Sequence, residues 1–254
     1  MHILLTNDDG IFTPSIAAMY KQLSRIATVT VVAPSQGRSG ASHSITLSPI
    51  TCDKVDITGK FTGYSVQGSP VDCVKLGIME LCPKPVDLVV SGINFGANVG
   101  IHVHYSGTVG AAMEGAFSGI PSIAVSATFE KEMDFDRSAE YALKTIESIL
   151  PLTGNEVINI NIPPLAKGKP KGVKVVPHTT NIYEEAYTKE NDEYGHTRYV
   201  YTTGSHTDGN KETDITALLD GYITVSTLHF DMNDTEKNKK LEKTKWLWPE
   251  NGDK

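Results

Sequence analysis

The chain alternates between short continuous apolar runs and longer segments in which apolar residues recur every three or four positions. Short apolar runs are typical of buried strands, and they lie at residues 3–5, 29–33, 86–90, 120–127 and 157–162. Helical spacing follows the first, second and fourth of these runs, at residues 14–26, 69–81 and 134–150. Repeated strand–helix alternation favours an α/β fold, in which helices cover a parallel sheet and the crossovers are right-handed.

Local signals locate two of the helix starts. Thr13-Pro14 and Ser69-Pro70 each place a capping residue before a proline at the first helical position, and Asp72 adds an acid to the second helix's first turn. Residues 45–67 alternate as strands do. The apolar positions of that segment are Ile45, Leu47, Val55, Ile57 and Val66.

The composition changes near residue 166, where Lys, Gly, Pro and Tyr become frequent. We therefore divide the chain into a core domain at 1–165 and an extension at 166–254. Polar strand-like pieces favour an extended hairpin or subunit arm, because they are too polar for an independent core. The other predictions for the extension are strand pieces at 173–176, 182–187 and 198–201, a flexible loop at 204–213, a helix at 214–219, a strand at 222–228, and a partly exposed tail helix at 235–248.

Composition excludes several classes of protein. The 254 residues are 39% hydrophobic and have a net charge of −7, which argues against a binder of nucleic-acid polymers or of membrane surfaces. Three cysteines, Cys52, Cys73 and Cys82, form no CxxC pair and fit a reducing compartment. No apolar run approaches the ~20 residues of a membrane helix, and no signal peptide is visible. We expect a cytoplasmic protein.

Two adjacent acids, Asp8 and Asp9, follow the first apolar run directly. Ligands of open α/β sheets bind beyond the carboxyl ends of the strands, so these acids lie at the usual ligand edge. Neighbouring carboxylates repel each other, and a hard divalent cation is the simplest compensating charge. An isolated Asp-Asp-Gly sequence is equally typical of a polar turn, so these residues alone leave both interpretations open.

Three further polar clusters are expected at the same edge. Ser39 offers a hydroxyl, and Gly40 lets the main chain approach an anion closely. Asn94 offers an amide oxygen. Ser106-Gly107-Thr108 forms the N-terminus of a helix, where free N–H groups attract anions. Carboxylate, hydroxyl and amide oxygens suit Mg²⁺, Mn²⁺ or Ca²⁺ rather than zinc. The dinucleotide and P-loop glycine signatures are absent from the sequence. The residues therefore predict metal-dependent phosphate or ester chemistry.

Five stretches of the chain resemble the SurE family, the survival-protein nucleotidases. They are ILLTNDDG, VVAPSQGRSGAS, SPVDCVKLG, VVSGINFGANVG and YSGTVGAAMEG, in the family's order. The resemblance is strong over the first ~165 residues and continues weakly to His229. It implies a Rossmann-like three-layer domain, a swapped C-terminal arm, and a homodimer or homotetramer.

The resemblance also implies a function and a set of site residues. The function is 5'- (and 3'-) nucleotidase activity on nucleoside monophosphates, with polyphosphate as a further substrate of some members. One divalent cation per subunit, Mg²⁺ or Mn²⁺, would be held by Asp8, Asp9, Ser39 and Asn94. The implied phosphate-side residues are Gly40, Asn98, Ser106, Gly107 and Thr108. His43 departs from the asparagine of several members, so a contact of this residue with the nucleoside would alter substrate preference.

The sequence leaves the nucleophile and two other functions open. Either a water or one of the aspartates, Asp8 or Asp9, attacks phosphorus in the predicted reaction. A non-catalytic nucleotide sensor would use the same site. A serine-type hydrolase would use Ser39 or Ser106 with a histidine base, but no GxSxG sequence surrounds either serine. The available histidines are His43, His102 and His104.

Overall fold

The computed structural model describes residues 1–180, 185–203 and 211–246. Its strands are β1 (His2–Thr6), β2 (Thr28–Pro34), β3 (Cys52–Ile57), β4 (Phe61–Val66), β5 (Leu88–Phe95), β6 (Ser122–Ala127), β7 (Val157–Ile162), β8 (Val173–Val175), β9 (Glu185–Asn191), β10 (Thr197–Thr203) and β11 (Ile223–Leu228). Its helices are α1 (Pro14–Leu23), α2 (Pro70–Leu76), α3 (His102–Tyr105), α4 (Gly107–Phe117), α5 (Phe135–Ile149), α6 (Asp214–Leu219) and α7 (Thr235–Leu241). A π-helical turn, Gly77–Leu81, continues α2.

Within these residues the main sheet has the strand order β3-β4-β2-β1-β5-β6-β7-β11-β8. The six strands from β4 to β7 are parallel. At the two sides β3 is antiparallel to β4 and β11 is antiparallel to β7, whereas β8 pairs in parallel with β11. The chain runs outward from β1 to β4 and then returns to place β5 beside β1. The strand order therefore reverses between β1 and β5, which is where ligands bind in such sheets.

Helices cover both faces of the sheet, so the predicted α/β three-layer fold is confirmed. One face packs against α1 and α5, and the other against α2 and α4. Close packing of α4 depends on its small residues: a Cβ on Gly115 would lie 2.3 Å from Ser122 Oγ. The helix is therefore held against β5 and β6, and its N-terminus is fixed relative to their ends.

The strand prediction is wrong for the first part of residues 45–67, although β3 and β4 occupy the rest. Ile45 and Leu47 are exposed, Leu47 by 91%. Side chains from α2 explain the difference: the Thr46 N–H donates to the Asp72 carboxylate, and the Ser69 hydroxyl donates to the Ser44 carbonyl. These bonds hold the segment on the start of α2, where Ser69 and Asp72 also form the capping box.

The first helix also departs from its prediction. It ends at Leu23 rather than near residue 26, and the Thr13 side chain makes no capping bond to it. The Thr13 hydroxyl instead donates to the Gly10 carbonyl at 2.8 Å. Thr13 thus serves the preceding turn, while Pro14 starts the helix as predicted.

The extension contributes to the main sheet and forms a separate hairpin. Strands β8 and β11 join the sheet beside β7, and β9 and β10 pair with each other as an antiparallel hairpin. The predicted helix at 214–219 and the strand near 222–228 are present, and α7 occupies part of the predicted tail helix. Parts of the predictions at 182–187, 204–213 and 235–248 lie outside the described residues, and the division at residue 165 stays a prediction.

No helix among the described residues combines the length and the apolar character needed to span a membrane.

Candidate metal and phosphate site

The turn that follows β1 is closed by hydrogen bonds of the Asn7 side chain. Buried Asn7 accepts from the Gly10 N–H at 3.1 Å and donates to the Gly10 carbonyl at 3.0 Å. Gly10 has a φ of +108°, a conformation that L side chains rarely adopt, and a Cβ there would lie 3.4 Å from the Gln36 carbonyl carbon. The turn therefore fixes the backbone of Asp8 and Asp9 just beyond the end of β1.

Asp8 is buried against the start of α4. Its Oδ1 accepts from the Thr108 hydroxyl at 2.5 Å. Gly107 permits this approach, since a Cβ there would lie 3.0 Å from the Asp8 Cβ. Burial raises the pKa of Asp8, while the bonds from Thr108 oppose the rise. The positive end of the helix dipole also favours the charged form of this carboxylate.

Asp9 faces the end of β5 and is partly buried. Its Oδ2 accepts from the Phe95 N–H at 3.1 Å. Burial, followed by the charge of neighbouring Asp8, raises the pKa of Asp9 to about 6. Asn94 precedes Phe95, and its amide nitrogen donates to the Gly96 carbonyl at 2.7 Å. Among the described residues no donor reaches the Asn94 amide oxygen, so this oxygen can serve as a ligand.

The loop after β2 passes over the two aspartates. The Arg38 N–H donates to the Asp8 carbonyl at 2.7 Å, and the Ser42 hydroxyl donates to the His104 carbonyl at 2.7 Å. These bonds tie the loop to the β1 turn at one end and to α3 at the other. Ser39 and Gly40 lie between them and are exposed, with Gly40 at a φ of +72°.

Two adjacent desolvated carboxylates without a cation are the distinctive property of this site. In the described parts of the chain no Lys, Arg, His or N-terminus forms an ion pair with Asp8 or Asp9. Those parts also contain no cluster of three or more His, Cys, Asp and Glu side chains suited to a metal. Two carboxylates, the Ser39 hydroxyl and the Asn94 amide oxygen fit a hard divalent cation and do not fit zinc.

The predicted substrate residue His43 lies on another contact. Its Nε2 is 2.8 Å from Oε2 of buried Glu114, and the Lys75 ammonium donates to Glu114 Oε1 at 2.7 Å. This contact arises because Glu114 on α4 is buried and needs cationic or donor partners. The ring is therefore engaged with the protein, and its contact with the nucleoside stays a prediction.

Asn98 and Ser106 also have internal partners. The Asn98 side chain donates to Ser126 Oγ at 2.9 Å, and the Asn98 N–H donates to Asn161 Oδ1. Ser106 caps α4 by accepting from the Val109 N–H at 3.1 Å, which leaves its hydroxyl proton available. The structure brings Asp8, Gly107 and Thr108 into direct contact, and it places Asn98 against β6 and β7.

Three residues with structural roles were not predicted: Asn7, Glu114 and Asp214. Glu114 had a detectable signal, because it is the only charged residue in the small and apolar helix Gly107–Phe117. A lone charge on a buried helix requires a partner. Asp214 had no such signal, because two of its three donors, the N–H groups of Gly100 and Thr179, belong to residues remote in sequence.

Comparison with known proteins matches the survival protein SurE family model to residues 3–185. The chain belongs to the SurE family. The 5'-nucleotidase SurE of Desulfitobacterium hafniense is 40% identical over 247 residues, covering 96% of this chain and 97% of that protein. The 5'-nucleotidase SurE of Rhodopirellula baltica is 42% identical over 237 residues, covering 91% and 94%. The crystal structure of SurE protein from Aquifex aeolicus has a TM-score of 0.81 and 38% identity, covering 95% of this chain and 100% of that one. The resemblance found in the five sequence stretches is thus confirmed.

Proposed function

We propose that this chain hydrolyses nucleoside 5'-monophosphates to a nucleoside and inorganic phosphate. The observation that carries the proposal is the pair of adjacent, desolvated carboxylates at the reversal point between β1 and β5, without a cationic partner among the described residues. SurE relatives named 5'-nucleotidases, about 40% identical over nearly the whole chain, supply the substrate class. Nucleoside 3'-monophosphates and polyphosphate are further substrates to be tested.

One divalent cation per subunit, Mg²⁺ or Mn²⁺, would be held by Asp8, Asp9, Ser39 and Asn94. Such a cation offsets the carboxylates, neutralises non-bridging phosphate oxygens and lowers the pKa of a bound water. The chain orients the proposed ligands: the Thr108 hydroxyl holds Asp8, the Phe95 N–H holds Asp9, and the Gly96 carbonyl fixes the Asn94 amide. Preorganised ligands reduce the reorganisation needed when substrate binds.

We assign the phosphate side to backbone and hydroxyl groups that retain a free donor. Gly40 allows close approach of the loop backbone, and Ser106 keeps its hydroxyl proton. Gly107 is the first residue of α4, where the N–H groups of a helix lack partners within the helix and attract anions. Thr108 and Asn98 donate to Asp8 and Ser126 instead, so we propose that these two side chains position their neighbours.

A phosphate-release screen tests the function. Nucleoside 5'- and 3'-monophosphates and polyphosphate are incubated with Mg²⁺, Mn²⁺ or EDTA. We expect release from the 5'-monophosphates, loss of it in EDTA, and recovery when Mn²⁺ is added. Tight nucleotide binding without phosphate release would instead identify a sensor, and metal-independent release would favour the serine-type hydrolase.

A nucleoside monophosphate made chiral at phosphorus with oxygen isotopes and sulfur tests the nucleophile. We propose that water attacks phosphorus, because Asp8 is held in a short hydrogen bond and Asp9 accepts from Phe95. The phosphoryl group should then be released with inverted configuration, because a single in-line displacement by water inverts the phosphorus centre. Retained configuration requires two successive displacements and would establish an aspartyl-phosphate instead.

We propose that the β9–β10 hairpin makes the subunit contact of a homodimer or homotetramer. In the described residues these strands pair only with each other, and an isolated two-stranded hairpin is marginally stable in water. Tyr187 and Tyr199 on it are 67% and 65% exposed. Light scattering of Tyr199→Asp should report a smaller particle.

The three free cysteines support a reducing, cytoplasmic location.

A further inference from the structure

Three phenylalanines are exposed at the sheet edge that carries the proposed site. Phe12 follows the Asp8–Asp9 turn, Phe95 ends β5, and Phe129 lies just beyond β6. Their exposed fractions are 63%, 45% and 63%. Aromatic side chains supply much of the apolar burial in cores and interfaces, so three of them exposed at one ligand edge indicate a surface that a ligand covers.

Phe95 connects this aromatic group with the proposed metal ligands. Its N–H donates to Asp9, and its neighbour in sequence is Asn94. The Phe95 ring meets Phe129 edge-on at a centroid distance of 4.9 Å and meets Phe135 at 6.2 Å. Two other rings thus hold the Phe95 side chain while nearly half of its surface stays accessible.

A cavity of about 1100 Å³ begins at Phe95 and extends between α1 and α5. Small-molecule pockets are typically about 300–1,000 Å³ and mostly apolar, so a nucleoside fits with room to spare. The apolar and aromatic residues of its wall include Tyr20, Met133, Phe135 and Leu165.

Five of the eight charged residues of the cavity wall have partners within the protein, whereas Lys60, Lys131 and Glu132 form no ion pair in the described parts of the chain. The Lys21 ammonium is 3.0 Å from the Asp136 carboxylate, and the Arg137 guanidinium is 3.9 Å from that of Asp134. The Glu130 carboxylate accepts from the N–H groups of the Leu165 and Ala166 backbone at 2.8 Å each. The matched charges and the aromatic faces of this wall suit a flat, uncharged group.

We propose that Phe95, held by Phe129 and Phe135, stacks on the base of the substrate and makes the site selective for purine nucleoside monophosphates. The inference rests on the proposed function, because it assigns the base end of the same substrate. A purine covers more of the aromatic surface than a pyrimidine does, so its gain from stacking is larger.

Substrate ratios separate base stacking from a general effect on the site. With Mn²⁺ present, kcat/KM is measured for adenosine 5'-monophosphate, cytidine 5'-monophosphate and methyl phosphate, which has no base. We expect Phe95→Ala to lower the ratio of adenosine monophosphate to methyl phosphate about tenfold, within the range of base–aromatic stacking. Phe95→Trp should keep the ratio, and Phe95→Leu, which retains apolar bulk without a ring, should lose most of it.

Phe117→Ala is the matched control. Phe117 is 67% exposed and pairs edge-on with Phe230, at the end of α4 remote from Ser106. The control should leave the kcat/KM ratios of adenosine monophosphate to methyl phosphate and of adenosine monophosphate to cytidine monophosphate unchanged. Light scattering accompanies each variant, because a change in subunit number with Phe95→Ala would show that the phenylalanines form a subunit contact and would overturn the proposal.

Two other results would also overturn it: equal losses for all three substrates, or an unchanged ratio in Phe95→Ala. The proposed function fails in a different way, since the wild-type protein would then release no phosphate from any nucleotide. A wild-type protein that hydrolyses both nucleotides, with Phe95→Ala behaving identically, refutes only the stacking inference.

Discussion

Two buried carboxylate sites differ in how their charge is balanced. Asp214 is fully buried, and its oxygens accept from the N–H groups of Gly100, Thr179 and Ile215 at 2.8–3.0 Å. Asp8 and Asp9 accept fewer bonds, stand next to each other, and have no cation among the described residues. Burial raises the pKa of all three acids, so the raised pKa alone does not identify a functional site. The partners of each acid distinguish the two sites. The protein supplies three N–H donors to Asp214, whereas it supplies no cation to balance the adjacent charges of Asp8 and Asp9 in the described residues.

Asp9→Asn should have the largest effect on activity. The substitution removes one of two carboxylates from the proposed cation site but keeps an oxygen that can accept from Phe95. We expect phosphate release with Mg²⁺ or Mn²⁺ to fall at least about 10³-fold, because metal coordination and charge neutralisation supply several kcal/mol of transition-state stabilisation. Circular dichroism should show an unchanged fold, and the exposed Asp53→Asn is the control. Near-full activity of Asp9→Asn would refute the metal assignment.

Asp214→Asn should instead lower stability. An amide nitrogen cannot accept from the N–H groups that surround Asp214, so at least one buried donor loses its partner. We expect the free energy of unfolding to fall by about 3 kcal/mol, with activity retained below the melting temperature. Urea unfolding measures this loss, and the exposed Asp220→Asn should stay within about 0.5 kcal/mol of wild type. A stable but inactive variant would place Asp214 in the catalytic machinery.

The pH dependence of the free energy of unfolding, measured without metal, tests whether the charge of Asp9 is left unbalanced by the protein. The pKa of Asp9 is about 6 in the folded protein, above the ordinary value of 3.8. Folding therefore carries a cost at pH 7 that is relieved as the pH falls through 6 toward 4. In EDTA we expect wild type to be less stable than Asp9→Asn at pH 7 by about 2 kcal/mol, after solvent screening of a partly buried group.

That gap should narrow by pH 5, and thermal or urea unfolding at several pH values measures it. Adding Mn²⁺ at pH 7 should stabilise wild type and leave Asp9→Asn almost unchanged. A gap independent of pH would show that folding does not raise the pKa of Asp9, and equal stabilisation of both proteins by Mn²⁺ would show that Asp9 is not a ligand of the cation.

Local patterns predicted the parts of the molecule that local physics determines. Apolar runs located five of the six parallel strands, and Pro70 and Ser106 located two helix starts. The aspartate pair could be placed at the ligand edge because it follows β1 directly. These inferences need only the period of the pattern and the few residues around each turn.

Hydrogen bonds between residues remote in sequence determined the features that local patterns did not predict. Thr46 is drawn to Asp72, which removes the predicted strand near residue 47, and Asp214 joins the extension to Gly100 of the core. Such pairs have no local signature, since each partner alone resembles an ordinary polar residue. The departure from the family at position 43 was visible in the sequence, but its partner Glu114 lies 71 residues further along the chain.

His43→Asn should have the smallest effect and decides whether that histidine belongs to the site. Its ring contacts Glu114, whose other oxygen is bound by Lys75, so the carboxylate keeps one partner after the substitution. We expect KM for nucleoside monophosphates to change less than twofold and the free energy of unfolding to fall by about 1 kcal/mol or less. Lys75→Met should have a similar effect. The double variant leaves Glu114 buried without either partner, so its loss should exceed the sum of the single losses by about 1 kcal/mol. A tenfold change in KM for His43→Asn, together with losses of unfolding free energy that add in the double variant, would instead place His43 against the nucleoside. A contact with substrate changes KM without changing the energetic coupling between His43 and Lys75.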